Sequence, residues 1–275
     1  MMWPGSNFQY QNTTCTFYTA FNESIPWIER VDMAISWFTH ETTPANLVMF
    51  YIEEPDTHAH MFGPDSEKIT NMIAKLDNLT KYIQEQLIAH SLDRRINVIH
   101  LSDHGMSSVV ASNFIDLRKF TTDGAFNWYG SSPILQIVPT NQNQIDEIFT
   151  NLTKAANENG HFKVYNHKNI PERWHVNNTR RMGPILAVAD MNYVFHDMIT
   201  TAEYYEKEFN IPFTNTTKYG VHGYDNAESA MRAIFMAKGP IFNNGKTIRP
   251  VQMINLYNLF CYILTIKCNK TNGSN

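Results

Sequence analysis

Two apolar runs constrain this chain more than any other feature, because each stops abruptly in acidic and imidazole side chains. The first, NLVMFYIEEPD, ends at Asp56 and continues as Thr57-His58-Ala59-His60. The second, INVIHLSDHGM, reaches Asp103-His104-Gly105. Short continuous apolar runs bounded by polar residues read as strands buried on both faces. Between them, Asp65 to His90 places Ile69, Ile73, Leu76, Ile83 and Leu87 along one side of a long helix. Strand, helix and strand predict a parallel βαβ unit and an α/β fold. A helix is also expected upstream, where Ile28, Val31, Ile35 and Phe38 recur at helical spacing behind a Ser24 cap and an early Pro26. Downstream, SPILQIVP from Ser132, PILAVAD from Pro184 and AIFMAKG from Ala233 read as strands, and KVYNH as a short one. Helices are expected around Gln144 to Asn157 and Val251 to Leu264. No linker or repeat interrupts the sequence, and 275 residues that are 43% hydrophobic suffice for one large core. Residues 1–275 are therefore read as a single domain.

In open α/β sheets, ligands collect beyond the carboxyl ends of strands. Both apolar runs deliver Asp and His there, and a third cluster, His222-Gly223-Tyr224-Asp225-Asn226, lies in a polar loop. Asp with His, and no Cys, suits a borderline divalent metal such as zinc. Neighbouring side chains on an extended backbone point apart. Asp103 and His104 thus either turn towards one ion at Gly105 or serve opposite sides of a pair.

The net charge of -4, with no basic patch, excludes nucleic acid as a groove-bound partner. Small anions stay in play, because a metal supplies local positive charge. The odd count of cysteines (Cys15, Cys261 and Cys268) excludes a fully paired internal framework. Cys261 and Cys268 pair either with each other or outside the chain. Eight N-x-[ST] sequons, at Asn12, Asn22, Asn78, Asn151, Asn177, Asn215, Asn269 and Asn272, are glycosylation candidates and point to a lumenal or secreted protein. The opening MMWPGSNFQY has neither the basic nor the apolar region of a signal peptide. The longest apolar stretch, Leu256 to Ile266, is too short for a membrane anchor.

Six motifs then occur in order: WPGS at Trp3, EEPDTHAHMFGP at Glu53, LSDHGM at Leu101, PERWHVNNTRR at Pro171, GVHGYDN at Gly220 and MRAIFMAKGPIF at Met231. Together they resemble the ectonucleotide pyrophosphatase/phosphodiesterase family of the alkaline phosphatase superfamily. The resemblance implies that Asp56, His60 and His222 ligate one zinc ion, and that Asp103 and His104 ligate a second. It implies that Trp3 lines the nucleotide pocket and that Phe21, in AFNES, is the aromatic on which a nucleobase stacks. Asn7 stands where many members carry Asp, and His58 matches no ligand.

The family takes one more zinc-binding Asp and its Thr nucleophile from positions upstream of WPGS. Here WPGS begins at Trp3, and Thr13, Thr14 and Thr16 do not match, so no catalytic nucleophile is assigned. The expected fold is an alkaline-phosphatase-like, mostly parallel sheet flanked by helices and incomplete at the N-terminus. The expected activity is zinc-dependent hydrolysis of nucleotide phosphodiester or pyrophosphate bonds, by in-line displacement at phosphorus through a threonyl intermediate. As an isolated fragment, this chain is expected to be inactive, and the complete protein to be extracellular or at the cell surface. The alternatives are a non-catalytic nucleotide- or zinc-binding remnant and a choline-phospholipid phosphodiesterase.

Overall fold

The structure is a computed structural model and describes residues 8–176, 180–271 and 273. In chain order the described elements are α1 (Trp27–Phe38), α2 (Asp56–Phe62), α3 (Glu67–Ala89), β1 (Val98–Leu101), β2 (Ser107–Val110), β3 (Phe114–Ile115), β4 (Phe126–Ser131) and β5 (Ile134–Pro139). They continue with α4 (Ile145–Asn159), β6 (Phe162–Asn166), β7 (Ile185–Ala189), β8 (Val194–Phe195), α5 (Asp197–Phe209), β9 (Lys218–Val221), β10 (Phe235–Lys238) and α6 (Leu256–Leu264). This is a mixed α/β chain. It divides into two compact units, the first comprising residues 1–53, 74–101 and 235–275, the second residues 54–73 and 102–234.

The first unit is built on α1, most of α3, and the pairing of β1 with β10. Val31 and Ile35 of α1 pack with Leu79, Leu87 and Leu92, and with the half-buried Phe50 and Ile52. Ile28, expected in this stripe, is exposed, and the position before α1 is Pro26 rather than Ser24. Ser24 instead donates its backbone N–H to Asn22 Oδ1, closing a turn ahead of the helix. Ile73 of α3 is likewise exposed, whereas Leu79 and Leu87 are buried. Arg30 is the one charged side chain buried on α1. It donates to Glu53 Oε2 at 2.7 Å and to the carbonyl oxygens of Ile25, Asn22 and Glu23, so its charge and donors are satisfied. Cys261 of α6 is bonded to Cys268.

The second unit holds the larger core. A four-stranded sheet in the order β4-β5-β7-β6 carries Leu135, Ile137, Ile185 and Ala187, all fully buried, with Ile148 and Leu152 of α4 packed in the same cluster. The Ile148, Leu152 and Ala155 spacing puts one stripe of α4 inward, and Gly160 ends the helix in the left-handed conformation that glycine adopts without penalty. β2 pairs with β9, and β3 with β8.

Two expectations about the strands are corrected. The sheet is not mostly parallel: of the described pairings only β3 with β8 is parallel. Parallel neighbours need a crossover of about a dozen residues or more. β4 and β5, however, are joined by Ser132-Pro133 alone and must run antiparallel. Residues 47–53 also form no strand, because they have no ladder partner among the described residues. Leu47 and Met49 stay exposed. The predicted βαβ unit is therefore replaced by an irregular segment, the short helix α2, the long helix α3 and then β1.

Candidate metal centre

Three of the predicted ligands are placed by two neighbouring elements of the second unit. Pro55 precedes α2, with its fixed φ suiting the start of a helix. Asp56 is the first helical residue and His60 lies one turn later, so both face the same side. His222 follows directly on the last residue of β9. The two elements touch closely: a Cβ on Gly220 would lie 2.2 Å from the Ala59 carbonyl oxygen. Only glycine permits this approach. The Gly220 carbonyl in turn accepts a hydrogen bond from His60 Nδ1 at 2.8 Å. That bond places the proton on Nδ1 and leaves the Nε2 lone pair for an electrophile.

Asp56, His60 and His222 each offer one ligand atom, and these atoms lie within 4.8 Å of one another. His60 Nε2 is 3.5 Å from Asp56 Oδ2, and His222 Nε2 is 3.7 Å from Asp56 Oδ1. His104 Nε2 approaches Asp56 Oδ1 at 3.9 Å and Asp103 Oδ1 at 3.5 Å. Its ring stacks on His222 with centroids 3.5 Å apart. The centre therefore brings Asp56, His60, His222 and His104 together. Asp103 adjoins it through His104 and has a largely exposed side chain. The chain leaves β1 before Asp103, and Gly105 donates its N–H to the Met231 carbonyl. This departure from extended backbone lets the two adjacent side chains meet. His58 turns away and contacts Glu54.

Electrostatics follow from this packing. Burial opposes charge on Asp56, but His60, His222 and His104 outweigh it and hold the carboxyl below its usual range. Burial also opposes charge on His60, and the Asp56 carboxylate and Gly220 carbonyl overcome it, raising the imidazole. His222 is lowered by burial first, then by His104 and His60. Asp56 Oδ1 is buried without a hydrogen-bond partner. A buried carboxylate oxygen left bare, with two imidazole nitrogens facing it, fits a divalent cation bound by oxygen and nitrogen.

The predicted substrate contacts are less informative. Trp3 lies outside the described residues. Phe21 belongs to the first unit, half-buried, with the Tyr51 edge at 5.4 Å and the Arg30 guanidinium 5.9 Å from its centroid. Of the sequons, Asn12, Asn22, Asn78, Asn215 and Asn269 are exposed and Asn151 is half-buried in α4; Asn177 and Asn272 lie outside the described residues. Among the described residues no helix is long and apolar enough to cross a membrane.

The supports of the His222 loop carry no signal in the sequence. Tyr224 is buried and donates its hydroxyl to the Tyr193 carbonyl at 2.8 Å. Arg173 donates to both Asp225 and Asn226. An Arg in one polar motif and an Asp in another were both visible, but no spacing rule pairs residues that far apart.

Residues 1–225 match the family described as type I phosphodiesterase / nucleotide pyrophosphatase. Human ectonucleotide pyrophosphatase/phosphodiesterase family member 5 is 33% identical over 273 residues, covering 99% of this chain and 53% of the relative. Bis(5'-adenosyl)-triphosphatase of Xenopus laevis is 30% identical over 274 residues, covering 99% and 56%. The chain thus spans about half the length of the curated relatives it matches. The structure of murine ectonucleotide pyrophosphatase / phosphodiesterase 5, an inactive variant in complex with AMP, superposes with a TM-score of 0.86 at 32% identity, covering 99% of this chain and 68% of that one. By the family match over residues 1–225 and the likeness of sequence and structure to these relatives, the chain belongs to the ectonucleotide pyrophosphatase/phosphodiesterase family.

Proposed function

We propose that the protein to which these residues belong hydrolyses nucleotide phosphodiester or pyrophosphate bonds with zinc. The clustering of Asp56, His60 and His222 ligand atoms within 4.8 Å, with Asp56 Oδ1 buried and without a hydrogen-bond partner, carries this reading. The AMP complex of the murine relative supports a small nucleotide as the ligand class. Asp56, His60 and His222 would hold one ion, and Asp103 and His104 would serve a second. Bound there, zinc would act as a Lewis acid towards phosphoryl oxygens and would lower the pKa of a hydroxyl nucleophile. The protein's own part is preparation. His60 is fixed in one tautomer by Gly220, His222 is kept neutral by burial and neighbouring imidazoles, and Asp56 supplies a full negative charge.

No threonine of this chain matches the family's nucleophile. Assayed as they stand, these 275 residues are therefore expected to bind metal and nucleotide without turnover. We read the two units as parts of one phosphodiesterase domain. The exposed sequons and the Cys261–Cys268 disulfide support an extracellular or lumenal setting and glycosylation.

The test measures zinc content after equilibrium dialysis, AMP binding by calorimetry, and hydrolysis of a chromogenic thymidine monophosphate ester. Wild type is expected to hold zinc. Asp56→Asn and His222→Ala are expected to weaken zinc binding by about tenfold or more, the first by removing the carboxylate charge and the second by removing an imidazole donor. A metal-stripped chain with no zinc affinity, or an Asp56→Asn variant that binds as tightly as wild type, would sink the reading.

A further inference from the structure

We infer that Arg173 is a positioning residue for the metal centre, its guanidinium fork on Asp225 and Asn226 fixing the loop that presents His222. The inference rests on the zinc reading of Asp56, His60 and His222 given above.

His222 stands where regular structure stops. β9 ends at Val221, so no strand ladder restrains the ligand. Gly223 follows at φ +93, a conformation that gives the backbone a pivot beside the imidazole. The loop must therefore be held from its far side. Tyr224 supplies one tie, buried and bonded to the Tyr193 carbonyl. The other tie is Arg173. Its Nη1 donates to Asp225 Oδ1 and to Asn226 Oδ1, both at 2.6 Å, and its Nη2 donates to Asp225 Oδ2. Asp225 Oδ1 also accepts the Ala227 N–H at 2.8 Å, so the carboxylate is locked to its own turn as well.

The fork has a firm base. Arg173 lies in the short turn Glu172–Trp174. Trp174 packs edge-on against Tyr165 of β6, with centroids 5.3 Å apart, and the guanidinium lies 5.5 Å from the Trp174 ring. The four-stranded sheet is thereby connected to the ligand loop by one side chain.

Energetics separate positioning from mere support. Arg173 is about half exposed, and exposed ion pairs contribute little to global stability. A planar fork gripping two neighbouring acceptors does restrict orientation, which an ammonium cannot reproduce. The signature of the role is thus a loss of metal affinity out of proportion to any loss of stability. Outer residues that orient metal ligands typically change affinity by about 10- to 100-fold when removed.

The experiment strips the full chain of metal and titrates zinc against a chromophoric chelator, with cobalt(II) absorption as a report on ligand geometry. Arg173→Ala is expected to bind zinc about 10- to 100-fold more weakly and to give a weakened cobalt spectrum. Arg173→Lys is expected to recover little of that loss, and the metal-free melting temperatures of both are expected to stay near wild type. Ile148→Val, a core change far along the chain, should lower the melting temperature without altering affinity. Wild-type zinc affinity in Arg173→Ala overturns the inference, as does an equal affinity loss in Ile148→Val. If Arg173→Ala fails to fold, Arg173→Lys and Asp225→Asn decide the matter by the same affinities. A wild-type chain that binds no zinc overturns the metal-centre reading, and this inference with it.

Discussion

Gly220 does two things with one backbone. Its missing side chain lets β9 lie against α2, and its carbonyl orients His60. In Gly220→Ala the new Cβ would sit 2.2 Å from the Ala59 oxygen and 2.7 Å from its carbonyl carbon, both backbone atoms that cannot swing aside as a side chain would. Either the core absorbs overpacking, at about 1–3 kcal/mol, or α2 moves and the bond from His60 Nδ1 lengthens. Both routes lower zinc affinity, because Asp56 and His60 ride on α2. Thermal melting and zinc titration of the Gly220→Ala variant should both register the change. A variant with wild-type melting and affinity would mean that the close approach has no bearing on the centre. Asp56 and His60 show why candidate ligands could be named from the residues while their local backbone could not. The Pro55-Asp56 step and the Asp56 to His60 spacing of one helical turn were both present in the sequence. The apolar run before them reads as a strand ending at Asp56, where the chain instead starts a helix.

The junction of β8 and α5 carries a different kind of chemistry. His196 is buried there against the edge of Trp128, and neither ring nitrogen has a hydrogen-bond partner. Burial holds it below the ordinary histidine range. Arg118 pushes in the same direction, and Asp116, 3.9 Å from Nδ1, and Asp197 only partly oppose this. The unfolded chain, with an imidazole near pH 6.5, binds a proton more readily than the folded one. Stability is therefore lost as pH falls below about 6.5 towards the depressed folded value. His196→Phe keeps an aromatic against Trp128 and removes the titration, so its stability should fall less than that of wild type between pH 7 and pH 5 in denaturant melts. Parallel curves for the two proteins would rule out His196 as a source of acid sensitivity. At this scale periodicity carried far: β5, β6, β7, β10, α3 and α4 lie where their apolar patterns put them. The pattern did not show how the strands pair. That depended on Ser132-Pro133 being too short for a crossover, a property of the connection rather than of the strands. α5, with Tyr204, Tyr205 and Phe209 clustered on a largely polar helix, offered no clean stripe to read.

Across the whole molecule, the division into two units dictates where ligand binding is felt. All five candidate ligands belong to the second unit. Binding to the folded state alone stabilises by mass action, about 2.7 kcal/mol at a hundredfold excess over Kd. Local openings that break the centre must give up that free energy, whereas openings elsewhere need not. Hydrogen exchange should therefore slow most across residues 56–62 and 218–226 when zinc is added. β1, β10 and α6 of the first unit should respond least to the metal. The Cys261–Cys268 bond makes the converse test, because it lies wholly in the first unit. Reduction removes a constraint on the α6 end, so exchange there should quicken while the zinc-protected segments keep their rates. Zinc protection spread evenly over both units would contradict a centre confined to α2, β9 and the segment after β1.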